Sequence, residues 1–375
     1  MSKGIYIHYP FCASKCFYCD FYSLVSLDRR REYEKALVEA IKGIGKKEII
    51  SDTVYFGGGT PSLMTRVGAN EIFTALFESF TIDKNASITL EANPEGLEKE
   101  DFEFFKTLGV NRISFGAQSF SDSELEKLGR RHKSADTQKS VFLAKEAGFE
   151  DICLDLMYNI SYQTLESFEK SVESAIALPI THISLYGLSV EEKTKFGRMA
   201  QKGENLYLQN EDVEREMYFG ACEMLEENGF LQYEISNFSK KGFRSRHNMK
   251  YWRGEEYFGF GASAHSFVDG VRFSSPRSIT RFCENPFLRE NEETIGFFER
   301  ALEYIMLSLR LVEGISLDNL SKEFLLTPTP EYKVLEEILL KNKLIVKNKN
   351  NISLTREGFF VSNAVISKIC DSFNL

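Results

Sequence analysis

The chain has 375 residues, and its 46 Lys and Arg against 55 Asp and Glu leave a net charge of −9. That length allows two or three domains with a full hydrophobic core, and 43% hydrophobic with 27% charged residues is the balance of an ordinary globular protein. The acidic surplus argues against nucleic acid as a partner, and no apolar run approaches the roughly 18 residues that span a bilayer.

The first predicted strand, Ile5–Tyr9, begins with no signal-peptide hydrophobic region before it, so a cytoplasmic location is expected. Directly after it come Cys12, Cys16 and Cys19, three of the seven cysteines. An odd count in a reducing compartment is no disulfide framework. The trio reads as a metal site, and Cys153, Cys222, Cys283 and Cys370 as buried thiols. Further strands are expected at Thr53–Phe56, Ser87–Leu90, Arg112–Phe115, Ile152–Met157 and His182–Tyr186. Helical patterns lie between them, such as Tyr33-Ala36-Leu37-Ala40-Ile41-Ile44 and Phe102-Phe105-Leu108. Six βα units in a row predict a parallel sheet, open or curled into a barrel. The unusual residues follow the strands: Gly57-Gly58-Gly59-Thr60-Pro61, Glu91, Gln118, Asp155 and Tyr186-Gly187. Parallel α/β folds place their sites at the carboxyl ends of strands, so these groups should meet in one pocket.

Beyond about residue 235 the sequence turns rich in aromatics and glycine, in Tyr233–Phe238, His247–Trp252 and Gly259–His265. The tail predicts a helix at Ile295–Leu311, a short helix, a second at Glu331–Lys341, and a hairpin of Leu344-Ile-Val and Ile352-Ser-Leu. Helix–helix–hairpin is a winged-helix outline. Seven Lys and Arg against six Asp and Glu over Gly314–Phe360 favour a domain packed on the rest of the chain over a DNA binder. The expected division is 1–235, a junction at 236–290, and 291–375.

Three thiolates on one loop select zinc, copper(I) or an iron–sulfur cluster. A structural zinc wants four ligands, which Asp20 or His8 would have to complete. A four-iron cluster on three cysteines instead leaves one iron open, with Phe11, Phe17, Tyr18 and Phe21 expected to shield it.

The C-x3-C-x2-C loop after a first strand resembles the radical S-adenosylmethionine (SAM) superfamily. That resemblance implies a partial (β/α)6 barrel, followed here by the small winged-helix-like domain. It also implies a [4Fe-4S] cluster whose open iron chelates SAM. Tyr6–Cys12, Cys19-Asp-Phe, Gly57–Ser62, Glu91–Pro94, Asn111–Ser119, Leu128–His132, Tyr233–Phe238 and Gly259–Ser266 together resemble one subfamily. It comprises the oxygen-independent coproporphyrinogen III oxidases and the related HemW-type heme chaperones. By that resemblance Cys12, Cys16 and Cys19 hold the cluster, and Tyr6, Gly58, Gly59, Thr60, Glu91, Gln118, Arg130 and Asp155 contact SAM. Glu91 and Asp155 suit hydroxyl or ammonium groups, and Arg130 suits a carboxylate.

Two absences point away from the oxidase. Its fourth cysteine, two residues past the third, is here Phe21, and its longer extension before the cluster is missing. His247-Asn-Met-Lys-Tyr251-Trp252 resembles the HNxxYW motif associated with heme, which makes His247, Tyr251 and Trp252 candidate heme contacts; the plainer reading is a histidine bonded to a loop and a tryptophan anchoring a junction. One loop departs from the family. Where a Gly-Leu-Pro-Gly-Gln-Thr pattern is usual, this chain has Asn159-Ile-Ser-Tyr-Gln-Thr164, so another backbone path is expected, with consequences for SAM turnover more than for binding. The expectation is a heme chaperone carrying a [4Fe-4S] cluster and SAM, with heme as cargo and apo-hemoproteins such as respiratory enzymes as recipients. A homodimer and membrane contact through a partner stay open. The alternatives are radical decarboxylation of coproporphyrinogen III and a purely structural metal protein.

Overall fold

In the computed structural model, which describes residues 2–206 and 210–373, all six predicted strands are present and longer than expected. They are β1 (Lys3–Tyr9), β2 (Ile50–Gly58), β3 (Thr81–Ala92), β4 (Arg112–Gln118), β5 (Asp151–Tyr158) and β6 (His182–Gly187). Each pairs in parallel with the next, because an intervening helix carries the chain back across the sheet. Beyond β6 lie β7 (Leu231–Glu234) and β8 (Asn237–Ser239). The stretch expected as a junction extends the same sheet at its other side. There β9 (Tyr257–Phe260) runs parallel to β1, followed by antiparallel β10 (His265–Val268), β11 (Val271–Ser274) and β12 (Glu290–Thr294). The resulting order, β12-β11-β10-β9-β1-β2-β3-β4-β5-β6-β8-β7, has two ends that do not pair. The sheet curls without closing, so it is a partial barrel.

Side chains of β1, β2, β4, β5 and β6 alternate between two faces. Ile5 and Ile7 of β1, Val54 and Phe56 of β2, Ile113 and Phe115 of β4, Leu154 and Leu156 of β5, and Ile183 and Leu185 of β6 are buried against the helices. Their neighbours face the hollow: Tyr6 and His8, Tyr55, then Arg112, Ser114 and Gln118, then Cys153 and Asp155, then His182, Ser184 and Tyr186. A period of two puts successive side chains on opposite faces, so one face builds the core and the other a polar lumen.

The tail holds helices Phe297–Ser308, Leu317–Phe324 and Pro330–Lys341, and a three-stranded antiparallel sheet of Ile315–Ser316, Ile345–Asn348 and Asn351–Leu354. Two short helices, Arg356–Phe360 and Ser362–Asp371, follow. This unit is tied to the sheet: Ile235 N–H donates to Arg310 O at 2.9 Å, Val312 N–H to Tyr233 O at 3.2 Å, and Arg356 pairs with Glu226 at 2.7 Å. Among the described residues no helix is long and apolar enough to cross a membrane.

Candidate cluster and cofactor site

The hollow is a cavity of about 1000 Å³, at the upper end of the roughly 300–1,000 Å³ usual for ligand sites. Its lining includes Cys12, Cys16 and Cys19 and every residue expected to contact SAM: Tyr6, Gly58, Gly59, Thr60, Glu91, Gln118, Arg130 and Asp155. Residues from Tyr6 to Asp155 converge because most sit on the lumen face or just past the carboxyl end of a strand, with Arg130 reaching in from the segment between the helices Asp122–Lys127 and Ser134–Glu146.

The cysteine loop is tied down by backbone bonds. Cys12 N–H donates to Leu24 O at 2.9 Å, and Gly59 and Thr60 N–H donate to Tyr9 O and Phe11 O at 2.9 and 2.8 Å. A chain of side-chain contacts then links two thiols. Thr60 Oγ1 lies 3.6 Å from Cys12 Sγ, Asn93 Nδ2 donates to Thr60 Oγ1 at 3.3 Å, and Arg130 donates to Asn93 Oδ1 at 2.9 Å and reaches Cys16 Sγ at 3.3 Å. All three thiols are free, and burial pushes Cys12 up and Cys19 up to about 11. At neutral pH Cys12 and Cys19 keep their protons until a metal displaces them.

The ways to complete a zinc site fail on geometry. His8 has both ring nitrogens engaged, Nδ1 with Tyr6 Oη at 3.0 Å and Nε2 with Tyr22 O at 2.8 Å. Asp20 is exposed and faces Arg277 at 3.8 Å, and among the described residues no group of three or more His, Cys, Asp or Glu is arranged for a single metal ion. Three thiols with no fourth protein donor fit a cluster with one open iron. Phe21, expected as part of a shield, is 67% exposed at the cavity rim, whereas Phe11 is fully buried. The shielding reading is corrected there: the Phe21 ring lies mostly in solvent at the rim, with its backbone carbonyl held by Lys15 Nζ at 2.9 Å.

Glu91 accepts from Tyr55 Oη at 2.7 Å and from Gly58 N–H at 3.2 Å. Burial, with the Asp155 charge adding to it, pushes its carboxyl up to about 7, and burial raises Asp155 as well. Among the described residues neither carboxylate forms an ion pair, although the Arg112 and Arg130 charges act on Asp155, and two buried carboxylates so placed suit a positively charged ligand. Arg130 supplies the opposite charge nearby and also donates to Gly116 O at 2.7 Å. Gly58 has φ of +107°, and a Cβ there would lie 2.5 Å from the His8 ring, so only glycine lets β2 end against β1.

The HNxxYW helix, Arg246–Trp252, is at the other end of the barrel from the cysteines. Arg246 and Lys250 pair with Asp52 at 3.2 and 3.0 Å, and His247 Nδ1 bonds Thr53 Oγ1 at 3.0 Å, all where β2 begins. His247 is buried, its Nε2 bonds Tyr251 Oη at 2.7 Å, and burial lowers it to about 3. Its ring stacks on Tyr55 at 5.2 Å and Tyr6 at 6.4 Å. Ser245, Asn248 and Tyr251 face the cavity and form its floor, while Trp252 packs with Tyr233, Met249 and Leu311 on the opposite side. As folded, His247 presents no free nitrogen.

Two expectations are revised. Of the four thiols expected to be buried, Cys283 is only half-buried, and Cys153, though buried, is more than apolar filling: it lines the lumen, 2.9 Å from His182 Nδ1. In the Asn159–Thr164 loop, Asn159 and Tyr162, which stand at the two glycine positions of the usual pattern, take the left-handed conformation that glycine favours, with φ of +61° and +65°. Gln163, buried beneath it, holds the path by donating to Glu124 at 3.0 Å. A left-handed non-glycine residue costs roughly 1–2 kcal/mol, and Tyr162 is 78% exposed, its one ring contact among the described residues being Lys127. Tyr162→Gly is therefore expected to stabilise the protein by roughly 0.5 kcal/mol after glycine's extra chain entropy, read as a rise in melting temperature. A fall would show that the loop does not need the left-handed region. Tyr55, Asn93, Arg112 and the Cys153–His182 pair escaped the sequence reading; the period-two alternation within the strands would have exposed all but Asn93.

Residues 6–175 match the family described as the radical SAM superfamily, and residues 299–361 match the HemN C-terminal domain. The heme chaperone HemW of Bacillus subtilis is 35% identical over 97% of this chain and 98% of its own length. HemW of Escherichia coli is 32% identical, with 83% of each chain covered. In fold, the chain superimposes on the Escherichia coli coproporphyrinogen III oxidase HemN with a TM-score of 0.85 at 18% identity, covering 99% of this chain and 90% of that one. The chain belongs to the radical SAM superfamily and, within it, to the HemW family.

Proposed function

We propose that this protein is a heme chaperone: it binds heme, a [4Fe-4S] cluster and SAM, and delivers heme to apo-hemoproteins such as respiratory enzymes. The observation that carries the reading is position 21, where the oxidase pattern has a fourth cysteine and this chain turns an exposed phenylalanine outward. The full-length likeness to proteins named heme chaperones supports it. In this reading Cys12, Cys16 and Cys19 hold the cluster, Glu91 and Asp155 receive the cationic and hydroxyl groups of SAM, and Arg130 receives its carboxylate. Bound there, the cluster supplies an open iron and one-electron reduction. The protein's own part is to keep those charges desolvated and oriented, through Tyr55 and Gly58 on Glu91 and Asn93 on Arg130. Its work is cytoplasmic, with membranes reached through the recipient.

The test takes one anaerobically reconstituted sample through two assays. Stoichiometric heme binding, transfer of that heme to an apo-hemoprotein, and no conversion of coproporphyrinogen III are expected. Steady conversion of coproporphyrinogen would overturn the chaperone reading.

A further inference from the structure

We propose that His265 is the axial ligand that receives heme iron at the rim of the cavity, an assignment that rests on the heme-chaperone reading. An axial imidazole must offer a ring nitrogen that no other group holds, on a surface a flat macrocycle can reach. Four of the five histidines do not. His8 is held by Tyr6 and Tyr22, and His132 by Arg130 at 3.3 Å and Ala117 O at 3.1 Å. His182 is held by Cys153 and by Tyr233 at 2.7 Å, and His247 by Thr53 and Tyr251. All four are buried with both nitrogens engaged. His265 alone is exposed, lines the cavity and has no hydrogen bond to either ring nitrogen among the described residues.

The local backbone is built to put it there. Ala264 N–H donates to Gly261 O at 3.0 Å, closing the turn that sends β10 back along β9. A Cβ on Gly259 would lie 1.9 Å from His265 O, so only glycine lets the returning strand lie so close. The turn is fastened to the next segment, where Ser263 N–H donates to Pro276 O at 3.0 Å and Ser275 N–H to Ala264 O at 2.8 Å. This brings Arg277 to the same rim.

The rest of the rim has the chemistry of a porphyrin's two faces and its acidic edge. Phe21 offers an exposed flat apolar ring, and Tyr22 lies beneath Arg277, 6.0 Å from its guanidinium. Lys15, whose Nζ donates to Phe21 O at 2.9 Å, and Arg277, which donates to Asp20 O at 2.9 Å, are the exposed cations available to propionates. Asp20 and Glu191 are the rim carboxylates opposing them. Partial burial and Arg272 hold His265 below its ordinary value, so the ring is neutral and its lone pair free at pH 7.

The test titrates ferric and ferrous heme into full-length, cluster-loaded protein and reads the axial ligand by Soret absorption and electron paramagnetic resonance. His265→Ala should lose the histidine-ligated spectrum and weaken heme binding by roughly tenfold or more, the scale on which even supporting partners of metal-bound imidazoles act. Free imidazole should restore the spectrum. His265→Tyr should convert it to a tyrosinate-ligated form, a gain that misfolding cannot produce. His247→Ala should leave the ligand field unchanged. If His265→Ala keeps the wild-type spectrum while His247→Ala loses it, the assignment is overturned and the chaperone reading stands. If wild-type protein takes up no heme, both are overturned.

Discussion

Cys16→Ser is expected to abolish the cluster, lowering iron and sulfide from about four of each per chain to near zero. The loop has three thiols and no reserve. His8 is engaged at both nitrogens and Asp20 faces Arg277 at the rim. Cys153 lines the lumen but is held by His182 Nδ1 at 2.9 Å. Cys222 and Cys370 are buried outside the cavity lining, and Cys283 is half-buried on the helix Ile279–Glu284, also outside it. A serine oxygen is a harder and far less acidic donor than a thiolate, and removing Cys16 also takes away the group that Arg130 reaches at 3.3 Å. The fold itself should survive, because the strands and their helices are packed on the face away from the lumen and the cysteine loop is only half-buried. Circular dichroism of the variant should match the wild type while iron and sulfide analysis and SAM binding both fail. Wild-type protein that retains one zinc per chain and takes up no iron would instead restore the structural-metal reading.

The second large effect is expected at Glu91. Burial raises this carboxyl to about 7 in the folded protein, from an ordinary value of 4.5. Between those values the folded chain holds a proton that the unfolded chain has lost, so Glu91's contribution to stability is present below about 4.5 and is lost as pH rises to about 7. A cationic ligand reverses the preference by favouring the ionised form, so its binding releases a proton. SAM affinity should accordingly rise with pH up to about 7 and then level off. Glu91→Gln keeps an acceptor for Tyr55 but has no charge to offer and sets an amide N–H against the Gly58 N–H. The variant should bind SAM roughly 10- to 100-fold more weakly at pH 8, as loss of a charged hydrogen bond predicts, with a flat pH profile that approaches the wild type at acid pH. Calorimetric titration across pH reads both. An undiminished rise in the variant would move the titrating group to Asp155, whose carboxyl is raised by the same desolvation.

Much of this was legible from local pattern. The six parallel strands, the three-cysteine spacing and the clustering of unusual residues after strands are properties of short windows, and hydrophobic period and chain punctuation report on short windows well. The convergence of Glu91, Gln118 and Asp155 on the cysteine loop followed from the general rule for parallel sheets, while Tyr6 and Arg130 were implied by the family resemblance alone; all of them line one cavity. What the sequence could not determine were relations between distant segments. Whether Phe21 shields or protrudes depends on how its loop is fastened, by Leu24 N–H donating to Pro10 O and Lys15 Nζ to Phe21 O. The path of Asn159–Thr164 is held by Gln163 bonding to Glu124, a contact across 39 positions that overrides the preference of Tyr162 against a left-handed backbone. The HNxxYW helix carries residues suited to heme, yet only the tertiary structure puts it at the amino ends of the strands, where Thr53 and Tyr251 occupy both nitrogens of His247. The same packing leaves His265 with both nitrogens open at the rim. Residue type states what a side chain can bind; which of its atoms remain free is decided by neighbours that the chain brings in from elsewhere.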